Sequence, residues 1–142
     1  MDRIPPKDAQ ALMDQGWVYV DVRTEEEFGF GHPAGALNIP FMVQQGGARA
    51  PNPDFLPAME ALFEKDSKLI LGCATGMRSL RAAGELANAG FTQLKDNLAG
   101  WSGARGPDGD ITTAGWGDSN LPSENGQPAD RSWQALLKRM QG

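Results

Sequence analysis

Lys68-Leu69-Ile70-Leu71-Gly72-Cys73-Ala74-Thr75-Gly76-Met77-Arg78 is the stretch that decides the fold. A short apolar run ends in glycine, a cysteine follows at once, small residues let the backbone curl, and a helical pattern then begins. Lys68 to Gly72 reads as a buried strand and Met77 to Ala89 as a helix, with Gly90 where a left-handed residue closes a helix C-terminus. In a strand, tight loop and helix start of this kind, consecutive amides turn inward and the helix adds roughly half a positive charge. Both favour the anionic thiolate, so Cys73 is a candidate nucleophile. Arg78 adds a permanent charge with planar donors, for the loop carbonyls or for an anionic substrate. The competing reading is a small buried hydrophobe at a strand end. Its place after the strand, ahead of a glycine and an arginine, favours the reactive reading.

Upstream, Pro5 and Pro6 open a first short helix in which Ala9, Leu12 and Met13 recur at helical spacing, stopped by Gly16. Trp17 to Val22 is β-branched and aromatic, a buried strand. Thr24 and Glu27 form a capping box for a helix from Glu25 to Phe30. After the bend at GHPAG, Ala36 to Ile39 reads as a brief strand closed by Pro40, and QQGGARAPNP as a loop. Phe55, Leu56, Met59, Leu62 and Phe63 mark a helix that lays one face on a sheet. Downstream, Phe91 to Leu98 supplies a further strand and Ala99-Gly100-Trp101 a final turn. Strands alternating with helices through short loops give an α/β domain over residues 1–106, its largely parallel sheet covered on both faces.

Residues 107–142 read as a C-terminal extension. Pro107 to Pro128 is rich in Gly, Asp, Ser, Asn and Pro, and its order depends on what it packs against. In DRSWQALLKRMQG, Trp133, Leu136, Leu137 and Met140 fall at i, i+3, i+4 and i+7, an amphipathic helix. That helix either folds back on the domain or offers its apolar face to a partner's groove.

The 142 residues suit one domain and bury roughly 68–70% of the unfolded chain's surface. A net charge of −5 and a pI near 4.8 argue against nucleic acid or an anionic membrane as the main partner. A single cysteine closes no internal disulfide and builds no thiolate zinc site, which points to a reducing, cytoplasmic setting. No segment reads as a signal peptide or membrane span.

The segments YVDVRTEEEFGFGHPAGALNIP, LILGCATGMRS and LAGW resemble, in order, the motifs of single-domain rhodaneses, or thiosulfate sulfurtransferases. The resemblance covers about residues 4–105. It implies a three-layer domain around a mostly parallel five-stranded sheet, with helices on both faces. It makes Cys73 the residue that takes sulfane sulfur from a donor such as thiosulfate or a persulfide and holds it as a persulfide. An acceptor then removes the sulfur: cyanide, a small thiol, or a protein thiol such as thioredoxin. Ala74, Thr75, Gly76, Met77 and Arg78 would cradle the terminal sulfur, and no metal or organic cofactor is implied. Phosphatases of this fold have a loop one residue longer, so four residues between Cys73 and Arg78 suit a single sulfur better than a phosphate. Thiosulfate-preferring members often carry a basic residue where Met77 stands, which makes thiosulfate a mediocre donor here. Ala99 replaces one of the family's paired glycines.

Asp21 and Arg23 lie at the C-terminal end of a central strand, the edge where open α/β sheets bind ligands. They either support the loop, or Arg23 pairs with Glu26 or Glu27 while Asp21 accepts loop amides. His32, in a tight bend, reads as structural, and Glu25-Glu26-Glu27 as a solvated first turn. Trp101, Trp116 and Trp133 read as packing residues in preference to a partner surface. The leading expectation is a sulfurtransferase. The alternative is a weakly or non-catalytic partner-binding or sulfur-relay module.

Overall fold

The computed structural model describes residues 1–141. Asp2–Ile4 forms β1, Pro6–Met13 α1 and Val18–Asp21 β2. Pro6 sits in the first turn of α1, where a missing N–H leaves no bond unmade. Glu25–Phe30 forms α2, His32–Pro33 β3 and Leu37–Asn38 β4. The capping box is complete: Thr24 Oγ1 accepts from the Glu27 amide and the Glu27 carboxylate accepts from the Thr24 amide. Met42–Gln45 and Ala48–Pro51 form β5 and β6, Phe55–Leu62 α3, Leu69–Gly72 β7, Met77–Asn88 α4 and Leu94–Asn97 β8. Beyond these, Ala104–Arg105 and Ile111–Thr113 form β9 and β10, Ser123–Glu124 forms β11 and Trp133–Gln141 forms α5.

Five parallel strands make the central sheet in the order β1-β8-β7-β2-β4. Successive side chains point to opposite faces. Val20, Leu69 and Leu71 meet Ala58 and Met59 of α3, Ala82, Ala83 and Leu86 of α4, and Leu136 of α5. Tyr19 and Ile70 face the other way, onto Ala9 of α1, Phe28 of α2 and Trp116. Both faces are covered, so the inner strands are apolar almost throughout and the expected three-layer α/β architecture follows.

Three expectations need correction. β1 was not expected, because three residues ahead of a Pro-Pro pair carry no apolar run. It gains its place by pairing with β8 at the sheet edge. The segment QQGGARAPNP is not a plain loop: Met42–Gln45 and Ala48–Pro51 pair antiparallel around Gly46-Gly47. Both glycines have positive φ, +61° and +83°, as a tight hairpin turn of the mirror-image type requires. The strands Trp17 to Val22 and Phe91 to Leu98 are shorter than read, at Val18–Asp21 and Leu94–Asn97. The segment after Gly106 reaches both cores of the sheet, one through Trp116 and Leu121 and the other through Trp133, Leu136, Leu137 and Met140. The Trp116 indole is fully buried and stands edge-on to Tyr19, centroids 5.6 Å apart. Its Nε1 donates to the Pro122 carbonyl at 3.1 Å. β11 pairs with β3, and α5 folds back on α3 with Trp133 and Leu136 in the core. Among the described residues, no helix is long and apolar enough to cross a membrane.

Candidate active site

β2 has β4 on one side and β7 on the other, so sheet growth reverses between β4 and β7. Ligands of open α/β sheets bind outside the carboxyl ends of strands at such a reversal. Asp21 ends β2 there, and Cys73 follows β7 directly.

The loop after β7 curls because its carbonyls are tied outward. Cys73 O accepts from Trp101 N and Ala74 O from Ser102 N, each at 2.8 Å, and Gly76 O accepts from Arg3 Nη2 at 2.9 Å. With those carbonyls committed, one loop amide meets the sulfur: Gly76 N donates to Cys73 Sγ at 3.2 Å. α4 starts at the next residue, so its positive end is aimed at the same atom. Gly100 makes the approach possible. At φ +57°, a Cβ there would collide with the Cys73 and Ala74 carbonyl oxygens.

Cys73 is only 2% exposed, and Thr75 and Met77 stand at the rim in solvent. Arg78 crosses to α2. Its Nη1 and Nη2 donate to Glu27 Oε1 at 2.7 Å and Oε2 at 2.9 Å, a planar bidentate pair. Arg49 Nη2, carried on β6, lies 3.4 Å from Glu27 Oε1. Burial pushes the Glu27 carboxyl up, but the Arg78 bonds, the Thr24 amide and the two guanidinium charges hold it at about 2. Burial works against the Arg78 charge, and the Glu27 bonds and charge raise its pKa regardless.

The expected pairing of Arg23 with Glu26 or Glu27 is not formed, and Glu27 is not merely part of a solvated turn. Arg23 turns back onto Asp21, with Nε at 3.0 Å from Oδ1 and Nη2 at 2.7 Å from Oδ2. The choice is local: Asp21 Oδ1 also accepts the Arg23 amide at 3.0 Å, which folds the two residues together. Burial disfavours the Arg23 charge, but the Asp21 charge and bonds outweigh it and raise its pKa. The guanidinium lies 5.3 Å from the Trp101 ring centroid. Trp101 in turn donates to Cys73 O. Asp21 and Arg23 therefore reach the loop through Trp101. Cys73, Ala74, Thr75, Gly76, Met77 and Arg78 form one ring.

His32 is buried, with Nδ1 2.6 Å from Phe28 O and Nε2 3.1 Å from Glu124 Oε1, and its ring stacks on Phe28. It fastens the tail and stands away from the sulfur loop's partners. Arg3 and Asp96, beside the loop, had no sign in the short motifs, and Ser79 stood at the end of LILGCATGMRS without a role assigned to it. Ser79 Oγ is 3.4 Å from Cys73 Sγ, and Asp96 Oδ2 accepts from Arg3 Nε at 2.8 Å. The usable signal was the polar pair Asp96-Asn97 in a strand otherwise destined for burial.

Comparison with known proteins places the chain in a family. Residues 5–105 match the rhodanese-like domain model. Thiosulfate sulfurtransferase 16, chloroplastic, of Arabidopsis thaliana is 43% identical over 94 residues, covering 66% of this chain and 78% of that protein. The senescence-associated protein DIN1 of Raphanus sativus is 41% identical over 98 residues, covering 69% of this chain and 54% of that protein. The rhodanese-like domain-containing protein 15 of Arabidopsis thaliana is matched over 60% of its length, so the chain spans little more than half of these two relatives. Among solved structures, Rv0390 from M. tuberculosis superposes with a TM-score of 0.73 at 27% identity, covering 89% of this chain and 98% of that one. The chain belongs to the rhodanese-like domain family.

Proposed function

We propose that this protein is a sulfurtransferase that carries sulfane sulfur on Cys73. The single observation that carries the reading is the Gly76 amide on Cys73 Sγ, at the start of α4, in a loop whose carbonyls are turned away. A thiolate so placed attacks the outer sulfur of thiosulfate, breaking its S–S bond and releasing sulfite, or takes the outer sulfur of a persulfide and releases a thiolate. The resulting Cys73 persulfide bears its negative charge on the terminal sulfur, where the Gly76 amide and the positive end of α4 stabilise it. A thiolate or cyanide then attacks that sulfur, and Cys73 leaves as thiolate. The small ring of Ala74 to Met77 suits one sulfur atom. With Met77 at the rim and Arg78 committed to Glu27, no free cation of the loop meets a sulfonate, so a persulfide is the better donor. The near-complete burial of Cys73 supports the second reading, a sulfur-relay module loaded by a protein partner.

Intact-mass spectrometry decides between them. Wild type should gain one sulfur from a small-molecule persulfide or thiosulfate, dithiothreitol should remove it, and Cys73→Ser should gain none. Wild type that stays unloaded by every small donor would remove the enzyme reading and leave the relay module.

A further inference from the structure

Behind Cys73 lies a polar arrangement that the sulfur-binding loop does not use. Ser79, in the first turn of α4, is fully buried with its Oγ 3.4 Å from Cys73 Sγ. Asp96 in β8 is fully buried too. Its Oδ2 is held by Arg3, while Oδ1 has no hydrogen-bond partner. An unpartnered carboxylate oxygen in a protein interior is costly, and its persistence asks for a donor that is at times engaged elsewhere. Burial pushes the Asp96 carboxyl up, and the Ser79 hydroxyl is the first of the groups that pull it back, ahead of Arg3. The Ser79 hydroxyl thus stands against the sulfur, with an open carboxylate oxygen beside it.

We propose that Ser79 and Asp96 form a buried proton relay that makes and stores the Cys73 thiolate, with Ser79 catalytic and Asp96 positioning. In the resting thiol, S–H donates to Ser79 Oγ and Ser79 O–H turns to Asp96 Oδ1. On activation the S–H bond breaks, Ser79 Oγ takes that proton, and its own passes to Asp96 Oδ1. The products are a thiolate accepting from the Ser79 hydroxyl and a neutral Asp96 carboxylic acid donating to Ser79 Oγ. No proton enters or leaves, and the total charge of the group is unchanged. A serine hydroxyl is suited to this because it donates and accepts at once and rotates freely. The proton returns by the same route when the thiol is restored.

Charged and titratable groups face this arrangement from each packed element. Arg3 comes from β1, Tyr19 and Asp21 from β2, Arg23 from the segment after it, Glu27 from α2 and Arg78 from α4. The pKa values of Arg23 and Arg78 are raised, so both keep their charge, and Glu27 is already ionised above about pH 2. Tyr19 is raised by burial beyond that range. Asp21 gives both oxygens to Arg23, which leaves Asp96 as the member of this set with an open oxygen for the sulfur's proton.

The inference rests on Cys73 as the reacting nucleophile, and its test needs no sulfur transfer. The rate of Cys73 alkylation by iodoacetamide, a neutral reagent, is followed against pH by mass spectrometry, with Cys73→Ser as the blank. Wild type should show two steps, the lower from the shared proton, and Ser79→Ala should lose the lower step and react about tenfold more slowly at its plateau. Ser79→Thr, which keeps a hydroxyl, should restore it, and Asp96→Asn should leave a single step. A one-step wild-type profile, or a lower step that survives in Ser79→Ala, would overturn the relay, the second outcome meaning that Asp96 acts only through its charge. The Ser79 pair decides the matter even where Asp96→Asn fails to fold. Sulfur uptake with a one-step profile sinks the relay alone, whereas a two-step profile without sulfur uptake sinks the transfer reading alone.

Discussion

Glu27 joins three segments through one carboxylate: it caps α2, pairs with Arg78 of the sulfur loop and lies beside Arg49 of the hairpin. Its folded pKa of about 2 sits below the ordinary 4.5, so its contribution to stability is fully present above about pH 4.5 and is lost as pH falls toward 2. Glu124, held down by Arg131, moves in the same direction. Asp96 runs the opposite way, because burial raises it and its ionisation opposes folding. Glu27→Gln keeps the cap geometry but loses the charge. We expect it to cost roughly 1–3 kcal/mol at neutral pH. The cost should shrink in acid, as read by urea denaturation at a series of pH values; an equal loss at pH 7 and pH 3 would contradict this. The cap was legible in the sequence because Thr24 and Glu27 are three residues apart. The pairing with Arg78 was not, since the two lie 51 residues apart and only the fold brings α2 to the loop. The same distance limit hid Asp96 and its Arg3 partner, 93 residues apart, while Cys73, its ring and the adjoining Ser79 stand in one contiguous stretch.

At the scale of elements, the inner strands and the longer helices were readable because each buries a periodic apolar face. The hairpin was not, because Gln44, Gln45, Ala48 and Arg49 are exposed and carry no alternation. Its only signal was Gly46-Gly47, a turn pair that specifies a hairpin without hydrophobic support. Asn52 anchors its base: its amide donates to Phe41 O at 3.1 Å and its Nδ2 to Pro40 O at 2.8 Å. Gly47→Val places a β-branched residue at φ +83° and should unpair β5 and β6. Because the hairpin adds little to the core, the global unfolding free energy should fall by less than about 1 kcal/mol, with fast proteolysis confined to 42–51. Uniform protection of that segment in the variant would show that the turn does not define it.

Considered whole, the molecule has two cores separated by one sheet, and the tail contributes to both. Leu136 is fully buried beside Met59 and Leu86, and Trp116 is fully buried beside Tyr19. Leu136→Ala should cost about 2–5 kcal/mol and Trp116→Ala about 3–5 kcal/mol, measured by chemical denaturation. Values below about 1 kcal/mol would mean that the tail rests on the domain without supporting it. The amphipathic spacing of Trp133, Leu136, Leu137 and Met140 disclosed α5. It did not disclose which face of the sheet would receive it, because that depends on the space left beside α3.

The tail also touches the loop's scaffold. Trp116 N donates to Gly100 O at 2.8 Å and Gly117 N to Trp101 O at 3.1 Å, in the turn whose next amides hold Cys73 O and Ala74 O. Three layers of backbone are thus bonded in series, from tail to turn to loop. By thermodynamic reciprocity, whatever steadies one end steadies the other. A sulfur atom seated on Cys73 should therefore slow hydrogen exchange at the Trp116 and Gly117 amides, residues that never meet it, and unchanged exchange on loading would show the layers to be uncoupled. The tail then becomes a gauge of the occupancy of the loop.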